Sequence, residues 1–341
     1  MFWEKIIIET KEGKKEAICP EILSASRGTD IPAFHTQWFM DRWEKGYAKW
    51  VNPFNRKSFQ YISFAKTRAL VFWSKNPRPL MPYLSQIVQG NIVYYFQFTL
   101  NDYGKEGLEP QVPPLKERIE TFKTLSEVTG PEKVIWRYDP LILGESLGVE
   151  ELLDRIGSIG NQIHSYTKKL VFSFADIGEY KKVQNNLRKT GKLYRELTPE
   201  DRYQIAEGLS KLAREWNLEI ATCAETEDLS GYGIKHNSCI DGELLLRLSH
   251  NDPELMRFMG VKESSQGLSL FDNSTSNPFS NGNFKDKGQR PACGCIFSKD
   301  IGQYDTCPHL CTYCYANTSE NIVKKNMQLL KDDPDSESIL P

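Results

Sequence analysis

The sequence predicts an α/β fold resting on a parallel sheet, of the (β/α) TIM-like barrel type. Short apolar runs occur at residues 21–25, 69–73, 92–98, 133–136, 170–174, 219–222 and 294–297, mostly β-branched or aromatic, which is the pattern of buried strands. Amphipathic stretches fall between several of them, and strands alternating with helices imply a parallel sheet covered by helices. The 341 residues hold these units comfortably, so a single barrel suits the length better than an open doubly wound sheet, which is the alternative.

The helices announce themselves by period and by caps. Residues 114–128 start at a proline, repeat Ile119, Phe122 and Leu125, and stop at Gly130-Pro131. Residues 150–166 place Leu152, Leu153, Ile156, Ile159 and Ile163 on one side. Residues 198–216 open with Thr198-Pro199-Glu200-Asp201, a capped start with proline at the first helical position. The organisation expected is a barrel body at 1–263, a long irregular Ser/Asn/Gly-rich loop at 264–290, a cysteine-rich strand-loop-helix at 291–330 that completes the barrel, and an acidic tail at 331–341 that frays.

Chemistry in a parallel barrel gathers on the loops that follow the strands. Those loops here begin with Ser26, Arg27, Thr29 and Asp30, with Lys75 and Asn76, with Asn101, with Arg137 and Asp139, with Asp176, and with Cys223 and Glu225. Arg137 and Asp139 are read either as catalytic contacts at the barrel mouth or as an ion pair fixing the turn before Pro140. Lys75-Asn76-Pro77 reads equally as a turn. Gln97 lies within an apolar run, where a buried amide needs partners, and it is placed facing the pocket.

Composition excludes some classes. Net charge is −2 and hydrophobic content 39%, ordinary for a soluble globular chain with no demand for a polyanionic partner. No leader pattern and no apolar stretch of about 20 residues is present, so a cytoplasmic protein without membrane association is expected. Phosphate-cradling, nucleophile-elbow and His-Glu-x2-His motifs are lacking.

Eight cysteines are present, seven of them between Cys223 and Cys314. In a reducing cytosol such clustering points to metal or catalysis rather than disulfides; Cys19, isolated, reads as a small buried apolar residue. Cys307, Cys311 and Cys314 form Cys-x3-Cys-x2-Cys, a spacing expected by chance about 0.004 times in this composition. Thiolates are soft ligands suited to iron–sulfur clusters, and three of them leave one iron of a cubane open to a substrate or cofactor. His309 inside the loop offers a rival Cys3His zinc site, though it is cramped between neighbouring cysteines. Cys223, Cys239, Cys293 and Cys295 are expected to form a second cluster or a zinc site, or else to remain unligated thiols.

The motif, with Tyr313 before its last cysteine and Tyr315-Ala316 after it, resembles the radical S-adenosylmethionine superfamily and, within it, the subgroup around spore photoproduct lyase. The resemblance implies a [4Fe–4S] cluster on Cys307, Cys311 and Cys314. S-adenosyl-L-methionine would bind the open iron and be cleaved reductively to a 5′-deoxyadenosyl radical, with reduced flavodoxin or ferredoxin as electron donor. Nucleic acid is then an open substrate class, against which the mild acidity argues. The stretches 24–34, 71–77 and 136–140, with the cysteine-bearing C-terminus, also resemble an uncharacterised bacterial family of domains of unknown function.

The superfamily's cysteine loop follows the first barrel strand, whereas this one lies near the C-terminus. A circular permutation is expected to account for that, with 294–297 as the strand before the loop, 320–330 as the helix after it, and 21–25 as the next strand in space. The superfamily's Gly-Gly-Glu is absent. In its place Asp30 would accept the cofactor's ammonium, and Ser26, Arg27 or Thr29 would bind its carboxylate. The rival readings are a zinc-stabilised binding module, and an iron–sulfur protein that carries electrons or senses redox state without cleaving the cofactor.

Overall fold

In chain order the computed structural model runs β1 (Glu4–Thr10), β2 (Gly13–Cys19), β3 (Ile22–Ala25), α1 (Ile31–Phe34), α2 (Thr36–Lys45), β4 (Tyr47–Val51), β5 (Phe59–Ser63), β6 (Ala69–Ser74), α3 (Leu84–Ile87), β7 (Val93–Thr99), α4 (Leu115–Thr129), β8 (Val134–Leu141), β9 (Leu143–Gly144), α5 (Val149–Ile163), β10 (Lys169–Phe174), α6 (Lys181–Lys189), β11 (Tyr194–Arg195), α7 (Pro199–Trp216), β12 (Glu219–Thr222), β13 (Lys235–His236), α8 (Gly242–Leu248), α9 (Pro253–Phe258), β14 (Lys299–Asp300) and α10 (Glu320–Asp332). The structure describes residues 3–89, 92–250, 252–261, 285–286 and 288–341. Most of the loop expected at 264–290 therefore lies outside the described residues.

The main sheet has eight strands in the order β13-β12-β10-β8-β7-β6-β3-β14, and every neighbouring pair is parallel. Spatial order follows chain order with one exception: the last strand sits beside β3. Among the described residues no ladder joins the two edge strands, β13 and β14. The α/β class and the parallel sheet are as expected, but the closed barrel is not seen. Both edges end in strands of only two residues, too short to carry a closing ladder.

Side chains alternate across the sheet, as the pleat requires. Leu23, Leu70, Phe72, Phe96, Trp136, Leu170, Phe172 and Ile220 point to one core, where Phe122 of α4, Ile156 and Ile159 of α5 and Leu209 of α7 meet them. Helices α5 and α7 approach closely because Gly160 has no Cβ; one there would overlap the Trp216 indole. Ile22, Ala69, Val71, Tyr95, Ile135 and Val171 point the other way. They pack on Leu245 of α8, Met256 of α9 and the segment carrying Cys239, Cys293 and Cys295. Helix α7 opens with the expected capping box between Thr198 and Asp201. No helix among the described residues is long and apolar enough to cross a membrane.

Three expectations are corrected. The strand before the cysteine loop is at Lys299–Asp300, not 294–297. Residues 294–297 are drawn elsewhere: Ser238 Oγ donates to the Gly294 carbonyl at 2.9 Å, Ile296 N–H to the Ile240 carbonyl at 3.2 Å, and Ile296 makes only an isolated bridge, to Lys285. A four-stranded sheet, β1-β2-β5-β4, was not expected: the Ile6-Ile7-Ile8 run of its outer strand β1 is short, flanked by charged residues and nowhere fully buried. The tail does not fray. Residues 336–340 are buried, and Lys49 N–H donates to the Glu337 carbonyl at 2.7 Å.

The Glu337 carboxylate explains the docking. It accepts from Tyr47 Oη at 2.6 Å, from Tyr61 Oη at 3.1 Å and from Lys11 N–H at 2.9 Å. Hydrogen bonds to a charged group are worth more than neutral ones, and removing the acceptor strands its donors. Glu337→Ala is expected to lower the unfolding free energy by about 2–3 kcal/mol, measured by urea denaturation.

Candidate functional site

Strand β14 fixes where the cysteine loop begins. Lys299 and Asp300 pair with Leu23 and Ser24 of β3. The Asp300 carboxylate accepts from Ser24 Oγ at 2.6 Å and Arg27 N–H at 2.9 Å, joining the loops that leave both strands. Gly302 continues the close approach, since a Cβ there would overlap Ser26 Oγ. The chain then enters the segment of Cys307, Cys311 and Cys314, all partly exposed and unbridged. Their thiols are all pushed up by burial, Cys307 to about 12, with the negative charge of neighbouring Asp30 adding at Cys307. Unligated, they are neutral at pH 7; a soft cation is what would turn them into thiolates.

Asp30 organises this loop from the opposite side. Its Oδ1 caps α1 through Ala33 N–H at 3.0 Å and accepts from Ser74 Oγ at 2.7 Å. Its Oδ2 accepts from Lys75 N–H at 2.7 Å and pairs with His309 Nε2 at 2.8 Å. Burial alone would raise this carboxyl, but the bonds from His309, Lys75 and Ser74 outweigh it and hold the group below its usual range. The second nitrogen of His309 faces the Gln111 carbonyl at 3.3 Å. With both ring nitrogens engaged, His309 is not aimed at a metal, and the Cys3His zinc reading lacks its fourth ligand.

A second buried network lies beside Cys311. Lys75 Nζ donates to Glu109 Oε1 at 2.7 Å and to Tyr313 Oη at 2.9 Å. Asn101 Nδ2 donates to the same two atoms at 3.2 and 3.0 Å, and Tyr313 Oη itself donates to Glu109. Arg118 lies 3.4 Å from the other Glu109 oxygen. Burial works against both charges, yet Lys75 and then Arg118 hold the Glu109 carboxyl below its ordinary value, while Glu109 and then Cys311 keep the Lys75 ammonium above its own. Lys75, which read equally as a turn residue, is thus a buried cation against the cysteine loop. Glu109 and Arg118 escaped the sequence reading. Glu109 sits in an aperiodic Gly/Pro-rich loop, and only the sheet brings it to Lys75 and Tyr313.

The residues assigned to the cofactor divide between two places. Ser26 Oγ accepts from Gly28 N–H at 2.8 Å and Thr29 N–H at 3.3 Å, and Thr29 Oγ1 lies 3.4 Å from His35 Nε2, all close to the three-cysteine loop. His35 Nε2 also meets the carbonyl of Thr306, the residue before Cys307, at 2.9 Å. Arg27 straddles the two groups of cysteines. Its carbonyl accepts from Tyr315 Oη at 3.2 Å, and its guanidinium lies over Trp73, 4.9 Å from the ring centroid, where it is coupled electrostatically to Cys295. Gln97 belongs wholly to the other group, donating to the Cys239 carbonyl at 2.9 Å and accepting from Arg137 Nη1 at 3.1 Å.

That other group unites Cys223, Cys239, Cys293 and Cys295. The Cys223 and Cys239 sulfurs lie 3.3 Å apart, Cys295 N–H points at Cys293 Sγ from 3.5 Å, and Cys239 is coupled electrostatically to Cys295. Arg137 pairs with Asp139 and also places Nη1 3.0 Å from Cys239 Sγ. The ion pair of the turn reading is present, and the same guanidinium faces Cys239. Among the described residues no three Cys, His, Asp or Glu side chains surround one shared point as a single ion would require; the sulfurs form a chain of contacts instead.

Glu225 follows Cys223 around a turn in which Ala224 has φ 59°, and its Oε1 accepts from Phe174 N–H at 3.0 Å. Burial pushes this carboxyl from 4.5 to about 7, against the Phe174 bond and with Asp176 adding to the rise. The folded chain therefore holds a proton that the unfolded chain releases, so this group's contribution to stability is full below its unfolded value and is lost as pH rises through about 7. Glu225→Gln is expected to flatten the fall in stability between about pH 4.5 and 7, read from denaturation midpoints across that range.

No curated protein matches the sequence. One solved structure, from Bacteroides thetaiotaomicron VPI-5482 and named only provisionally as an alpha-L-fucosidase, shares 12% identity over 58% of this chain and 83% of its own, with a TM-score of 0.23; likeness that low carries no functional argument. The profile of a family described as a domain of unknown function matches residues 22–316, a span that takes in both the sheet and the cysteine segments. The chain belongs to that family, DUF1848.

Proposed function

We propose that the chain is a radical S-adenosylmethionine-type enzyme built on a permuted barrel-like sheet. One observation supports this above the rest: the Cys-x3-Cys-x2-Cys loop leaves a strand that pairs in parallel with β3, so it lies at the sheet rim where loops after parallel strands meet. Cys307, Cys311 and Cys314 would hold the cluster, and three soft sulfur donors with no histidine free to join them suit iron–sulfur better than zinc. When bound, a [4Fe–4S] cluster on three thiolates offers one open iron to S-adenosylmethionine, and electrons from reduced flavodoxin or ferredoxin release a 5′-deoxyadenosyl radical for hydrogen abstraction.

The chain's own residues have separable tasks in this reading. Asp30 seats the cysteine loop through His309 and, with both oxygens engaged by protein donors, has little left for a cofactor ammonium. The buried Lys75 ammonium offsets part of the thiolate charge near Cys311. Ser26 and Thr29 use their oxygens as acceptors and keep hydroxyl hydrogens for the cofactor's carboxylate. Arg137 and Asp139 line the same rim from β8.

The test is anaerobic purification with iron and sulfide counting, followed by dithionite and S-adenosylmethionine. Wild-type protein is expected to be brown and to form 5′-deoxyadenosine, and Cys311→Ala to lose about four irons and to form no 5′-deoxyadenosine. Iron-loaded wild-type protein that forms none defeats the proposal.

A further inference from the structure

The second cysteine group lies apart from the cofactor chemistry just proposed and involves different sulfurs. Four thiols reach it from three places in the chain. Cys223 follows β12, Cys239 follows β13, and Cys293 and Cys295 arrive from the segment before β14. The parallel sheet and α8 hold them together: Tyr95 Oη and Gln97 Nε2 both grip the Cys239 carbonyl, at 2.6 and 2.9 Å. Cys239, Cys293 and Cys295 are buried, with at most 8% exposure.

The donors aimed at these sulfurs are more than thiols call for. Arg137 Nη1 lies 3.0 Å and Asn237 Nδ2 3.3 Å from Cys239 Sγ. Ile240 N–H points at Cys295 Sγ from 3.3 Å, and Cys295 N–H at Cys293 Sγ from 3.5 Å. The Arg27 guanidinium is coupled electrostatically to Cys295 and Cys239, and that of Arg137 to Cys239 and Cys223. A neutral thiol is a weak acceptor, and a shielded guanidinium is costly unless negative charge meets it. Arg27 forms no ion pair among the described residues, Asp300 acting on its guanidinium only from farther off, and its Nη2 is shielded from solvent with no hydrogen-bond partner. Four metal-bound thiolates would supply the missing charge. N–H donors converging on sulfur are also what tunes and orients such ligands.

We propose that Cys223, Cys239, Cys293 and Cys295 form a second metal centre, closed by four thiolates and held by the Arg27 and Arg137 guanidiniums. The shared chemistry is a soft metal centre with a net negative charge, either an iron–sulfur cluster or a single zinc ion, and either occupant requires the sulfurs, which touch in a chain, to turn toward a common point. In both cases all protein ligands are sulfur and no position stays open for substrate.

Full-length protein purified anaerobically is analysed for iron, sulfide and zinc per chain, beside Cys239→Ser, Cys293→Ser and Cys311→Ala, each checked for folding by circular dichroism and gel filtration. Loss from Cys239→Ser and Cys293→Ser of about four irons with sulfide, or of about one zinc, with that metal kept by Cys311→Ala, supports the centre and names its occupant. Alkylation mapping gives a reading that needs no variant: in wild-type protein the four sulfurs should resist iodoacetamide until the metal is stripped. The proposal is overturned if folded Cys293→Ser keeps the wild-type metal content. Equally decisive against it is wild-type protein that carries no metal beyond what Cys311→Ala removes, with the four thiols alkylated at the same rate before and after stripping.

Discussion

The Asp30 carboxylate, nearly out of reach of water, meets donors from four directions. A charge so placed is tolerable only when every lone pair is matched, and each match here belongs to a different piece of chain. Ala33 brings the first turn of α1, Ser74 and Lys75 bring the end of β6, and His309 brings the cysteine loop. The rim of the sheet is assembled around that one group. The burial of Lys75 against Glu109 and the seating of Tyr313 both depend on the loop being where Asp30 holds it.

Electrostatic balance is the common theme of the two cysteine groups, but each solves it differently. Beside Cys311 the cation is Lys75, already shared with Glu109 and Tyr313. Beside Cys239 and Cys295 the cations are guanidiniums, one paired with Asp139 and one without an ion pair among the described residues. Arg27 touches both neighbourhoods, through its carbonyl on one side and its guanidinium on the other. The two groups thus share one structural element, the loop after β3.

Much of this was legible in the sequence where a local rule applied. The strand runs at 69–73, 92–98, 170–174 and 219–222 fall on β6, β7, β10 and β12, because burial on both faces forces continuous apolar residues. The α7 start follows from the Thr198–Asp201 reciprocity. The place of the last strand beside β3 could be argued from the cysteine loop, but its position could not. Residues 294–297 read as an extended apolar run, and only tertiary contacts with Ser238 and Ile240 divert it. Glu109 and the docked Glu337 were invisible for the same reason: a carboxylate in an aperiodic stretch looks solvated until the partner that neutralises it is known. Asp30 was singled out, yet its role differs, because four protein donors reach it where one ligand was expected.

Strands β3 and β14 are separated by 276 positions where Ser24 meets Asp300. During synthesis on the ribosome, the edge of β3 stays uncovered while nearly the whole domain emerges, because the segment that caps it is made much later. A growing chain thus carries an exposed pairing edge and a half-built rim whose Asp30 still lacks its imidazole. Any metal taken up at the three-cysteine loop would in consequence arrive late in the life of the chain, after nearly everything else has folded.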